Sequence, residues 1–413
     1  MFDKPSYLIQ FGYNGQTIVD RALTNDHMDG VILSPTDYPM GKNKTLAQKV
    51  NNQGKTVLFD PQYYIPRTER DAAQSYPYFE SKGGNEFETV VVQREGQREE
   101  LCREILSVQD KMGVDAYISP ARHVDALVDR KINEWKDLTE SFIEIAREDG
   151  QDIPIFAALP VEGDVISHPD ERNEFLDYVT SIDPDGFYVS VQYEMGQRYP
   201  LTGAQDVHAY VDLMKSLKMN QFEVIAGHSH QIAHLLFAAG VDAFASGHYK
   251  NTKAFDVGRW EPDDEGFGRT VIYYYSDEIL NDIRVEQGLQ NLDASGFDIS
   301  RLRTKSPYDG DLFAATTPES SEWKLSEESW DHYISACFQI SRKYRNKDLQ
   351  ERIDFAKNHL EQAANLHEDM LNYVNEDELD SVDADVFDQW PSVLESIEAD
   401  LENPLKRKML EMG

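Results

Sequence analysis

The chain has 413 residues and carries 75 Asp plus Glu against 40 Lys plus Arg, a formal net charge of -35 that no single acidic tail accounts for. That much like charge strains a compact state in ordinary salt and repels nucleic acid over most of the surface, so the composition fits a salt-rich cytoplasm where screening shortens the repulsion to a few ångströms. Only Cys102 and Cys337 occur, which excludes a disulfide framework and a thiolate metal site, and the absence of a long apolar run or a basic leader predicts a cytoplasmic chain with no membrane partner.

In chain order, eight short apolar runs read as strands: Tyr7 to Phe11, Val31 to Ser34, Val57 to Asp60, Ala116 to Ser119, Ile155 to Leu159, Gly186 to Val191, Val224 to Ala226 and Asp242 to Ala245. Nearly all are continuous rather than alternating, as expected of parallel strands buried on both faces. Helical spacing of three and four lies between them, clearest at Gln97 to Met112 and Lys136 to Arg147, and the aromatic and polar segment from Arg67 to Val92 reads as a long loop. Eight strand-helix units predict an α/β fold, a (β/α)8 barrel of the TIM type over residues 1–260. An open doubly wound sheet is the alternative and differs in strand order. Residues 261–320 read as a connecting segment without a core of its own. Residues 321–413 read as an acidic helical domain with helices near Ser326 to Arg342, Asp348 to Val374 and Asp383 to Glu402, suited to homodimerisation or to covering the barrel.

Barrel enzymes place their chemistry where strands end, which selects Gln10, Asp37, Asp60, Gln62, Arg122, His123, Glu162, Gln192, Glu194, His228, His230 and His248. Glutamine amides offer a donor and an acceptor together and suit the edge of a base or an amide-bearing ligand. Gln62, Gln192 and Arg122 are therefore read as ligand-binding, His228 and His248 as acid or base, and Asp37 or Asp60 as their acidic partner. In the stretch from His228 to His234, His228, His230 and His234, the last two four apart on one helix face, are with Asp37 or Asp60 from another strand a candidate site for a divalent metal such as zinc or manganese, His228 and His230 first among them. The same loops offer phosphate binding through Gly227, Ser229, Ser246 and Gly247 beside Lys250. Tyr63, Tyr64, Tyr76, Tyr78 and Phe79 would stack on a base or pack the mouth loop down. Arg342, Lys343 and Arg345 form one basic stretch that suits a nucleic-acid backbone, or a salt-bridged helix face.

The later strands carry a resemblance. Ile153 to Pro160, Asp185-Gly186-Phe187 leading into Gln192-Tyr193, Val224 to Gly227, and Gly240-Val241-Asp242-Ala243-Phe244 are similar in order and spacing to tRNA-guanine transglycosylases and the related barrel proteins that insert deazaguanine into DNA. The resemblance covers Ile153 to Arg259. It implies a barrel that exchanges a base through a covalent glycosyl intermediate on an aspartate. The chain departs from that pattern at three points. Ala245 stands where the family carries its nucleophilic Asp, Leu159-Pro160-Val161 replaces the base-reading Gln-Gly-Gly, and the zinc-binding cysteines are absent.

The expectation is thus a transglycosylase-like barrel that binds or acts on a nucleobase-containing ligand or nucleic acid. The alternatives are a small-molecule barrel enzyme, a lyase or metal-dependent hydrolase centred on His228 and His230, and a non-catalytic barrel subunit of a nucleic-acid-related complex.

Overall fold

The computed structural model describes residues 1–412 apart from 65–69, 81–91, 149–151, 194–202, 231, 261–270, 322, 324–326 and 380. Glu194 and most of the mouth loop between Arg67 and Val92 therefore lie outside the described residues. Eight strands pair in parallel: β1 (Ser6–Gln10), β2 (Gly30–Leu33), β3 (Thr56–Phe59), β4 (Tyr117–Ile118), β5 (Ile155–Glu162), β6 (Gly186–Gln192), β7 (Glu223–Ala226) and β8 (Ala243–Ser246). Their order, β3-β2-β1-β8-β7-β6-β5-β4, leaves one junction to be made. That junction is closed by the main chain just before β4. The Asp115 N–H donates to the Val57 carbonyl at 2.9 Å, and the Val57 N–H donates to Asp115 Oδ2 at 2.7 Å. The sheet is a closed barrel.

The same device recurs under every second strand. Asp29, Asp115, Asp185 and Asp242 each precede an even-numbered strand and accept the main-chain N–H of Tyr7, Val57, Ile155 and Val224 on the neighbouring odd strand, at 2.9, 2.7, 2.8 and 2.7 Å. Each Asp N–H returns a bond to the carbonyl of the residue it caps. Gly or Ala follows each of them, and at the two glycines the backbones leave no room for more: a Cβ on Gly30 or Gly186 would lie 2.4 or 2.5 Å from the Thr56 or Glu223 carbonyl oxygen. Each of these strand segments also reaches a buried serine, Ser34, Ser119, Ser190 or Ser246. The motif Asp-Gly/Ala followed by an apolar run and Ser is a four-fold internal repeat of two strand-helix units. It also explains the Gly-Val-Asp-Ala-Phe element structurally, since Asp242 lies at the end of β8 opposite the mouth, bonded to Lys218 at 2.8 and 3.0 Å.

The helices after the first seven strands are α1 (Gly15–Asn25), α2 (Met40–Asn51), α3 (Glu95–Met112), α4 (Asp129–Glu148), α5 (Pro169–Val179), α6 (Ala204–Met219) and α7 (Ala233–Ala238). The eighth helix comes late. α8 (Glu327–Tyr344) packs on β1, α1 and α7, fixed by Tyr333 Oη to Ser246 Oγ at 2.8 Å and by an Arg345 to Asp29 ion pair. The first helix of the expected C-terminal domain is therefore part of the barrel.

The segment between β8 and α8 is an insertion, and it holds more than a connection. The antiparallel hairpin of β9 (Tyr273–Ser276) and β10 (Asn281–Arg284) starts a second apolar cluster with Leu289, Leu292, Phe297, Leu302, Trp323 and Met370. Sequence reading missed this core because its apolar residues are scattered among turns, without the period of a strand or long helix. Three further helices, α9 (Leu349–Met370), α10 (Asp385–Glu402) and α11 (Pro404–Met412), lie against α6 and α7. No helix among the described residues is long and apolar enough to cross a membrane.

Candidate active site at the barrel mouth

Asp60 follows β3 directly and is wholly buried. Tyr64 Oη donates to its Oδ2 at 2.7 Å and the Gln62 N–H donates to its Oδ1 at 2.9 Å. Burial pushes the carboxyl up to about 6, against the opposing pull of those donors, of the nearby Arg259 charge and of Tyr188. Tyr188 reaches across the interior from β6 and donates to Gln10 Oε1 on β1 at 3.0 Å. Ser190, two residues further along β6, places its Oγ 3.2 Å from Nδ1 of His228. Asp60, Tyr188, Ser190 and His228 thus lie together across the top of the barrel. Burial, then the Arg259 charge, lowers His228 to about 3, so its ring is neutral at physiological pH.

Two features separate this place from ordinary core. Gln62 and His228 hold left-handed backbone, with φ of 52° and 49°, a strained choice for residues with side chains and one that clusters at functional sites. Moreover, Nε2 of Gln10, of Gln62 and of His228 are buried without a hydrogen-bond partner, although buried polar groups are nearly always satisfied. Gln62 Oε1 is held by the Thr36 hydroxyl, which leaves its amide nitrogen as the outward group. A side chain at position 227 would not fit, because its Cβ would lie 2.4 Å from the Tyr188 ring and 2.6 Å from Ser190 Oγ.

A strap from the start of the insertion closes the mouth. Phe255 sits with its ring centroid 5.3 Å from Tyr64, 5.3 Å from His228 and 6.0 Å from His123. The Val257 N–H donates to Gln192 Oε1 at 2.8 Å, and Arg259 ion-pairs with Asp37. Asp37 and Gln192 therefore anchor the cover, while Asp60, Gln62 and His228 lie beneath it.

The other residues selected at strand ends go elsewhere. His248 packs with tilted rings against Tyr249 and Trp330, at 4.3 and 5.0 Å, and burial lowers it to about 3. The Arg122 guanidinium lies 4.6 Å over the Tyr63 ring. His123 faces Glu162 at 3.4 Å, and burial lowers it to about 4. His228 and His230 face different neighbours: His230 lies between Tyr275 and Tyr333 and is 3.5 Å from Asp282. The main-chain N–H groups of Gly227, Ser229 and Gly247 are spent on the carbonyls of Val189, Ala245 and Thr252, and Ser246 Oγ meets Tyr333, so the loops after β7 and β8 do not present those amides to a phosphate. Tyr76 and Tyr78 are packed down, with hydroxyls on Tyr38 O and Pro61 O. In the basic stretch Lys343 pairs with Asp277, Arg345 with Asp29, and Arg342 lies over Phe338.

Sequence reading missed Tyr188, Ser190, Phe255 and Arg259. Tyr188 and Ser190 are interior residues of a strand rather than its end, but they alternate with Phe187 and Val189 so as to share one face, a signal that was available.

No family model and no curated protein matches the chain. Among solved structures it is similar to a thiamine phosphate pyrophosphorylase from Pyrococcus furiosus (15% identity, 62% of this chain and 91% of that one, TM-score 0.30). It is also similar to the Penicillium canescens endo-1,4-beta-xylanase XylE (7%, 59% and 82%, 0.37) and to an N-acetylneuraminate lyase from Mycoplasma synoviae (11%, 83% and 97%, 0.32). At such scores these likenesses decide nothing about chemistry, and the fold stands on this chain's own strand pairing.

Proposed function

We propose that the chain is a small-molecule barrel enzyme in which Asp60 gives and takes a proton while the amides of Gln10 and Gln62 hold an oxygen or ring-nitrogen acceptor of the ligand. The observation that carries this reading is the coincidence, at one covered strand end, of a carboxyl raised to about 6 with three buried nitrogens lacking partners. A carboxyl poised there can serve as acid and base near neutrality. The strap keeps water out, which strengthens each electrostatic contact.

Two amide donors beside a protonatable carboxyl also match the edge of a nucleobase, and this favours a base-like ligand as the second reading. Titration calorimetry with pyruvate, acetamide, guanine and cytosine tests both in wild type, Gln10→Ala and Gln62→Ala. One ligand class should bind the wild type and lose about tenfold in each variant, the equivalent of one hydrogen bond at about 1.4 kcal/mol. No binding in the panel, or equal affinity in the variants, would contradict the assignment.

A further inference from the structure

A second cluster of ionisable side chains lies apart from the mouth, where the barrel meets the C-terminal helices. His234 is on α7, Asp277 follows β9 and His359 is on α9, so three distant segments supply it. All three are buried, and one potential ligand atom from each lies within 4.8 Å of the other two. His234 Nε2 is 2.9 Å from Asp277 Oδ1, and His359 Nε2 is 3.4 Å from Asp277 Oδ2. We propose that His234, Asp277 and His359 form a binding site for a divalent transition ion of the zinc type, which ties the barrel to its C-terminal helices.

Three observations point to an ion rather than to a plain salt bridge. His359 Nε2 is buried without a hydrogen-bond partner, aimed at the carboxylate. On the far side of the other imidazole, Tyr344 Oη lies 2.8 Å from His234 Nδ1. That is the outer contact which fixes a ligating ring and turns its Nε2 toward the carboxylate where the ion would sit. Two imidazoles and one carboxylate are also the donor set that zinc accepts with a fourth position open to water.

The cation now against Asp277 is the Lys343 ammonium. Its side chain is 32% exposed, and Glu278 lies near it, so the ammonium can move outward as the ion arrives. Lysine and metal are competitors for one carboxylate. Of the histidines from His228 to His234 read from sequence as metal candidates only His234 takes part, and its partners stand 43 and 125 positions from it along the chain, as the numbers 234, 277 and 359 show.

The test uses the full chain, stripped with chelator and reloaded with Zn2+ or Co2+, with metal content, affinity by competition against a chromogenic chelator, and the visible Co2+ spectrum as readouts. The proposal expects close to one ion per chain, a weakening of about 10- to 100-fold in His359→Ala, unchanged uptake in His230→Ala, and tighter binding in Lys343→Gln. The Lys343→Gln arm stands even if His359→Ala fails to fold. Substoichiometric metal in the wild type, undiminished affinity in folded His359→Ala, or equal or weaker affinity in Lys343→Gln would each overturn the assignment.

Discussion

Tyr64 Oη donates to Asp60 Oδ2 at 2.7 Å, four residues along the same strand-end loop, and this bond stabilises the ionised carboxylate that burial opposes. Tyr64→Phe removes the donor from the charged form only. The Asp60 carboxyl should therefore rise above about 6, and the acid limb of any pH profile of ligand binding should move to higher pH by on the order of one unit. A limb that stays in place would separate Asp60 from that profile.

Asp60 also makes a prediction about stability. Its folded value, about 6, lies above the ordinary 3.8. Its contribution to stability is therefore greatest below pH 3.8 and is lost as pH rises through 6. Asp60→Asn should stabilise the protein at pH 8, by on the order of 3 kcal/mol at about 1.4 kcal/mol per pH unit, with the gain fading below pH 4. Denaturant unfolding at the two pH values measures it. A variant equally stable with wild type at pH 8 would mean the carboxyl is solvated.

The buried imidazoles act in the opposite sense. His228 and His248 are lowered to about 3, and His123 and His234 to about 4, from 6.5, first of all by burial. Each contributes stability that is complete above pH 6.5 and is lost as pH falls toward 3 or 4. His248→Gln should flatten the loss of stability between pH 6.5 and 4, seen in chemical melts across that range.

The four aspartates beneath the barrel should each contribute through the main-chain N–H they accept. Asp115→Ala and Asp185→Ala each strip a main-chain N–H of a charged acceptor, at a cost of about 1.5–3 kcal/mol. Asp242→Ala should cost more, because that carboxylate also holds the buried Lys218 ammonium. Guanidinium melts would show it, and a neutral Asp115→Ala would remove the staple argument for the β3 to β4 junction.

The net charge of -35 predicts salt dependence. Raising KCl from about 0.1 M to about 1 M shortens the Debye length from roughly 10 to 3 Å, and the thermal midpoint should climb over that range. A midpoint that is flat or falls would show that local ion pairs, and not net repulsion, govern stability.

The barrel was readable because strands buried on both faces announce themselves as continuous apolar runs, and Asp60, Gln62 and His228 were reachable as the residues where such runs end. The Asp-Gly/Ala repeat was equally visible in sequence, yet a period spanning two strand-helix units with loops of unequal length hides it. The strap was out of reach. Nothing local to Phe255 or Arg259 says that one packs on His228 and the other pairs with Asp37, 222 positions away. The late eighth helix was hidden by the insertion, because helical spacing marks α8 as a helix without saying which strand it covers. The cluster at His234 shares that limit, since proximity of distant segments is a property of the closed fold.

The most direct measurement is the titration of Asp60 itself, by difference infrared spectroscopy of wild type against Asp60→Asn through the carboxylic-acid C=O band. The account predicts a protonated carboxyl that ionises with a midpoint about 6. A midpoint near the ordinary 3.8 would contradict it, leaving the barrel mouth without an acid or base poised for neutral pH.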